Sequence, residues 1–100
     1  MYCEVLEMKA IWNGAVIADS EDTVVLAGSS YFPPESVKNE FLRKSLRTSI
    51  CPWIGEATYY DVVVDGVAVK DAALSYPDPK PKAVCVRNYI AFLKGVQLVL

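Results

Sequence analysis

The sequence predicts a mainly β framework of about six to eight short strands with one short α-helix near residues 35–44. Three observations predict it. Two dipeptides suited to tight hairpin turns, Asn13-Gly14 and Asp65-Gly66, each stand between runs of apolar and β-branched residues. Turn signals recur about every ten residues along the chain. One stretch, opened by Pro33-Pro34, places apolar residues at helical spacing.

Residues 8–12 and 15–19 read as a first hairpin, because Asn-Gly accepts the positive φ of a type I′ turn. Ser20-Glu21-Asp22 reads as a polar connector, and residues 23–27 as a third strand closed by Gly28-Ser29-Ser30. Tyr31-Phe32 then enters the double proline. Pro34 or Glu35 is expected to open the helix, since proline is tolerated in the first turn and an acid suits its positive end. Val37, Phe41 and Leu42 would fall on its inner face, with Lys38, Asn39, Arg43 and Lys44 outside. A polar loop and the turn Cys51-Pro52-Trp53-Ile54-Gly55 follow. Residues 57–64 are the strongest strand, and Asp65-Gly66 turns them into 67–70. Residues 71–76 are ambiguous by pattern. Pro77-Asp78-Pro79-Lys80-Pro81-Lys82 reads as an extended connector. Residues 83–93 read as one strand, and Lys94-Gly95 as the turn into the apolar run 96–100, an edge strand open to a second copy.

The chain has 100 residues, 53% of them hydrophobic, which is enough for one modest core and a single domain over 1–100. Its net charge of −2 argues against a partner that is a nucleic acid. Residues 1–7 lack the basic start and apolar block of a signal peptide, and no apolar run approaches the roughly 20 residues of a membrane span. The expectation is a cytoplasmic protein with no membrane partner. Histidine is absent, so acid–base work would fall to Asp, Glu, Lys, Tyr or Cys. Cys3, Cys51 and Cys85 form no Cys-x-x-Cys pair, and no metal site is expected.

Cys51 is a candidate nucleophile, for which Arg47 or the helix terminus would have to supply the activating cation. The alternative is a small buried hydrophobe. The aromatic residues are too many for a small β core to bury with their N–H and O–H groups satisfied, so some are expected to line a groove. Asp61 and Asp65 share a strand face about 13 Å apart, too far for one metal ion. Lys70 and Asp71 would point to opposite sides of a continuing strand. Glu56 is a lone candidate base. Neither G-x-x-x-x-G-K-[ST] nor G-x-G-x-x-G occurs, and Gly28-Ser29 is not followed by the Asp-x-Asp pair that nucleotidyl transfer with two metals needs.

Trp12-x-Gly14, Val16-Ile17-Ala18-x-Ser20, Tyr31-Phe32-Pro33, the expected helix Pro34 to Leu42, Ser45, Cys51-Pro52-Trp53-x-Gly55, Tyr59-Tyr60, Asp65-Gly66, Asp71-Ala72-Ala73 and Tyr76-Pro77-x-Pro79 occur here in that order. Together they resemble the bacterial domain-of-unknown-function family 427, also catalogued as nucleotidyltransferase-like, over about residues 9–99. The resemblance implies coiled antiparallel sheets of the Mss4-like or β-tent kind. Relatives of that shape, methionine sulfoxide reductase B and the cereblon ligand-binding domain, hold a zinc on Cys-x-x-Cys pairs that this chain lacks, so no zinc is expected. In two places the chain departs from the family pattern. Ile54 stands where a lysine is usual, and Leu74 where an aromatic is usual before Tyr76.

The leading functional expectation is a domain that binds a small molecule or peptide in a groove of Trp12, Tyr31, Phe32, Trp53, Gly55, Tyr59 and Tyr76, with Cys51 at its floor. An alternative implied by the family name is a nucleotidyltransferase-like enzyme using Mg²⁺, with Asp61, Asp65 or Asp71 and the cations Lys70 or Arg47. A third is thiol chemistry at Cys51.

Overall fold

The computed structural model describes residues 4–26, 28–93 and 95–100. Cys3, Ala27 of the expected third strand and Lys94 of the expected Lys-Gly turn lie outside the described residues. The strands are β1 (Glu4–Trp12), β2 (Ala15–Leu26), β3 (Ser29–Phe32), β4 (Leu42–Cys51), β5 (Gly55–Val64), β6 (Val67–Ser75), β7 (Ile90–Phe92) and β8 (Gln97–Val99). They form one antiparallel sheet in the order β4-β5-β6-β7-β3-β2-β1-β8. The mainly β expectation stands. Among the described residues, no helix is long and apolar enough to cross a membrane.

Both hairpins form where their dipeptides lie. Asn13 and Gly14 have φ of 50° and 78°, Asp65 and Gly66 of 51° and 77°, the double positive φ that matches the twist of the flanking strands. The first hairpin is longer than expected. Ser20-Glu21-Asp22 is no connector but part of β2, where the register with β1 slips between Leu6 opposite Thr23 and Met8 opposite Ser20. The Ser20 hydroxyl accepts the Asp22 N–H at 2.8 Å, so a bulge absorbs the polar triplet without ending the strand.

The expected helix over 35–44 is not formed. Two 3-10 turns, Pro34–Ser36 and Asn39–Phe41, flank an extended Val37, and Leu42 already begins β4. Val37 bridges Ala18, and the Lys38 N–H donates to the Ile17 carbonyl at 2.9 Å. A lone helix this short is marginal in water, whereas β4 pairs with β5 from Leu42 opposite Val62 to Cys51 opposite Gly55. Val37 is buried, and Phe41 and Leu42 pack against the same core, but from turns and a strand. The expected strand over 83–93 is also shortened. Pro81–Val86 forms 3-10 turns, Asn88 takes a positive φ of 63°, and only Ile90–Phe92 forms a strand, between β6 and β3, with Arg87 in a lone bridge to Tyr76.

Each face of the sheet carries its own core. Consecutive strand residues point to opposite faces, so Phe32, Val62, Val64, Ala73, Ile90 and Phe92 belong to one cluster, while Tyr31, Ala57, Tyr59, Leu74 and Ala91 belong to the other. The first cluster also holds Ala10, Ile17 and Ala18 from the far half of the sheet. The sheet therefore curls until its two halves meet, and the Asn13 side chain donates to the Val64 carbonyl at 3.2 Å across the seam. Ala83, Val86 and Ile54 cover the second cluster.

Candidate functional site

β5 is flanked by two irregular strands. On one side, β4 and β5 keep register from Leu42 to Lys44 and from Thr48 to Cys51, and residues 45–47 bulge opposite Tyr59. On the other, residues 70–72 of β6 bulge opposite Asp61. Asp71 takes a φ of 53° there, a conformation costly for a residue with a side chain. Bulges re-aim side chains, and these two aim theirs at one place. Arg47, Tyr59, Lys70, Asp71 and Leu93 line a pocket of about 340 Å³. The alternation rule would separate Lys70 from Asp71; the bulge brings both to the rim.

The missing ladder bonds are replaced by side chains. The Asp71 N–H donates to Asp61 Oδ1 at 2.9 Å, and Arg43 donates to Asp61 Oδ2 at 3.1 Å. The Asp71 N–H, and after it the Arg43 guanidinium and the nearby Lys70 charge, hold the Asp61 carboxyl below its usual range against the opposing effect of burial. Ser45 donates to Asp71 Oδ1 at 2.6 Å and accepts the Arg47 N–H at 3.1 Å. Arg47 lies 3.9 Å from Asp71 Oδ2, with its guanidinium carbon 4.8 Å from the centre of the Tyr59 ring. The Tyr59 and Ser49 hydroxyls are 2.9 Å apart. Arg43 and Asp61 offset each other, leaving Arg47 and Lys70 against Asp71, one net positive charge at the rim.

The residues expected to form one aromatic groove are placed apart. Phe32 is fully buried in the first cluster, and Trp12 packs against it. Tyr31 and Tyr76 are buried in the second, their ring centres 6.3 Å apart. Burial pushes both phenols above their usual pKa, Tyr76 the further, with the Cys51 sulfur adding to each. Tyr59 lines the pocket. Cys51 is half-buried against the second cluster beside Tyr76. The two cations envisaged for a thiolate are spoken for or absent: Arg47 is engaged by Tyr59 and Asp71, and the helix is not formed.

Trp53 is 69% exposed. With Pro52, Lys80, Pro81 and Lys82 it lines a second, mainly apolar pocket of about 420 Å³. The turn that carries it is docked on the segment after β6. The Lys80 N–H donates to the Ile54 carbonyl, and the Lys80 ammonium to the Pro52 carbonyl, each at 2.6 Å. At Gly55, φ is 134° and a Cβ would stand 3.2 Å from the Asp78 carbonyl oxygen, so a side chain would force the turn off its support.

Over residues 5–99 the chain matches the family model described as Domain of unknown function (DUF427), whose short name is NTP_transf_9. The chain belongs to this family. No curated protein matches it. In this DUF427 member Ile54 and Leu74, the two residues noted in the resemblance, face inward. Ile54 is 3% and Leu74 8% exposed in the second cluster, where an unpaired lysine ammonium would be costly. The short name raises the question of Mg²⁺. Mg²⁺ demands near-octahedral oxygen ligands, and the Asp61 and Asp71 carboxylates already accept from Asp71 N–H, Arg43 and Ser45. Among the described residues no three His, Cys, Asp or Glu side chains gather to hold a metal. The donor set does not fit the ion. Asp65 stands apart in the β5–β6 turn.

Sequence reasoning missed Ser45, Ser49 and Arg43 as parts of the site. Asp61 carried a usable signal: a charge within Tyr59-Tyr60-Asp61-Val62-Val63-Val64 must find partners if the strand is central.

Proposed function

We propose that this chain is a ligand-binding domain whose ligand is a small anion, a phosphate or carboxylate compound, seated between Arg47 and Lys70 over Tyr59. The observation that carries the reading is the pair of bulges converging on one pocket with a net positive rim. Its volume of about 340 Å³ sits at the lower end of small-molecule pockets, roughly 300–1,000 Å³. Arg47 is held by Tyr59 and Asp71, so its planar fork is set before a ligand arrives and less freedom is lost on binding. Lys70, exposed at the rim, supplies a second positive charge.

A second reading, nucleotidyl transfer, is favoured by one observation: Asp61, Asp71, Lys70 and Arg47 meet at this site. The same carboxylates are engaged by protein donors, which favours binding over metal-assisted transfer.

Thermal unfolding against phosphate, pyrophosphate, dicarboxylates and nucleotides, with and without Mg²⁺, tests both. A ligand at a hundred times its Kd adds about 2.7 kcal/mol, which for a domain this size raises the midpoint by roughly 10 °C or more. An anion is expected to give this shift without Mg²⁺, and Lys70→Gln to abolish it while lowering the ligand-free midpoint only slightly, since the Lys70 charge also favours the Asp61 carboxylate. A shift that requires Mg²⁺ supports the second reading. No shift with any anion, or one that survives both Lys70→Gln and Arg47→Gln, overturns the first.

A further inference from the structure

The long edge of the sheet is basic, apolar and open. β4 is the terminal strand and has a strand neighbour on one side only among the described residues. On it Leu46 is 103% and Ile50 77% exposed, and the chain leads directly into exposed Trp53 and its apolar pocket. Long exposed edge strands template further pairing, and natural proteins blunt them unless they are used. Here the bulge over 45–47 blunts only the middle of β4; Thr48–Cys51 keep regular register with β5 right up to the Trp53 corner. The charge is uneven. Residues 42–53 and 80–82 hold Arg43, Lys44, Arg47, Lys80 and Lys82, five of the ten basic residues, and no acid, in a chain whose net charge is −2. The nearest acids in sequence are Glu40, Glu56 and Asp78, and Glu56 stands opposite Ile50 on β5.

We propose that this edge docks an extended acidic peptide segment, which adds as a strand along Thr48–Cys51 and seats one apolar side chain in the pocket at Trp53. Strand addition supplies the main-chain hydrogen bonds, and alternate side chains supply selectivity. Trp53 is the anchor surface, since exposed tryptophans in such pockets dominate binding. Lys44 and Lys82, and Lys80 beside the Pro52 carbonyl to which its ammonium donates, face the peptide's carboxylates, whereas the charges of Arg43 and Arg47 are offset by Asp61 and by Asp71. A second copy fits less well, because β4 against β4 brings two basic edges together.

The probe is a blocked ten-residue peptide alternating glutamate and valine around one leucine, with its lysine-for-glutamate counterpart as control. Trp53 is exposed and Trp12 partly buried, so tryptophan emission reports the pocket. The acidic peptide is expected to shift emission to the blue saturably, more weakly as salt rises, and the lysine peptide to leave it unchanged. Lys80→Glu combined with Lys82→Glu is expected to weaken binding about tenfold or more. Lys70→Gln leaves it intact, which separates this edge from the anion pocket. Equal binding of both peptides, or binding of neither, overturns the proposal. So does sedimentation showing self-association that Ile50→Lys abolishes, because the occupant would then be a second copy.

Discussion

On one face of the sheet Phe32 and Phe92 meet edge to face, 5.5 Å between ring centres, among Ala10, Ile17, Val62 and Ala73. On the other, Tyr31, Tyr59 and Tyr76 bring hydroxyls into the core, Cys51 brings a thiol, and the rim opens into a pocket with two cations. Both faces are served by the same strands. β5 sends Val62 and Val64 one way and Ala57 and Tyr59 the other, with Asp61 where its neighbour bulges. The contrast teaches how so small a fold can carry a polar site. A dry core of interlocked rings holds the halves together, which leaves the second face free to hold bulges, a strained Asp71 and charged groups.

The contrast is sharpest in substitutions of matching size. Phe32→Ala removes a fully buried ring from the dry face and is expected to cost about 3–5 kcal/mol in denaturant unfolding, while any anion site keeps its selectivity. A loss below about 1 kcal/mol would mean the dry face is not what holds the halves together. Asp61→Asn is expected to cost less, about 1–3 kcal/mol, because Arg43 is 61% exposed and water can take the carboxylate's place. The effect depends on pH in a fixed sense. The folded pKa of Asp61 lies below its ordinary 3.8, so the stabilisation is present above that value and fades as pH falls through the folded pKa. The difference between wild type and Asp61→Asn should therefore narrow below about pH 4, and a constant difference down to pH 2 would break the account. Tyr59→Phe removes only the hydroxyl contact with Ser49 and is expected to cost about 1 kcal/mol or less.

The parts of the fold set by neighbouring residues were legible. Asn13-Gly14 and Asp65-Gly66 turned the chain where they stand, because the demand for positive φ is local. The helix over 35–44 was misread because Val37, Phe41 and Leu42 all pack against the core, and burial from turns and a strand can mimic helical spacing. Tyr31 and Phe32 could not share a groove once they lay on a strand, since neighbours face opposite ways. The twin-bulge pocket was hidden for a deeper reason. A bulge is a property of two strands in register, and nothing in residues 45–47 or 70–72 alone says which residues will stand opposite them. What the sequence did carry was charge and hydroxyl inside β patterns: Ser45, Asp61 and Asp71 are the groups that close the gaps in the ladder.

The most direct test of the central claim is residue-resolved NMR of the amide signals during titration with pyrophosphate. The account predicts saturable shifts concentrated at Arg47, Tyr59, Lys70 and Asp71, with the first core silent and the Trp53 corner unmoved. Shifts centred on Trp53, Lys80 and Lys82, or none at saturating anion, would contradict it.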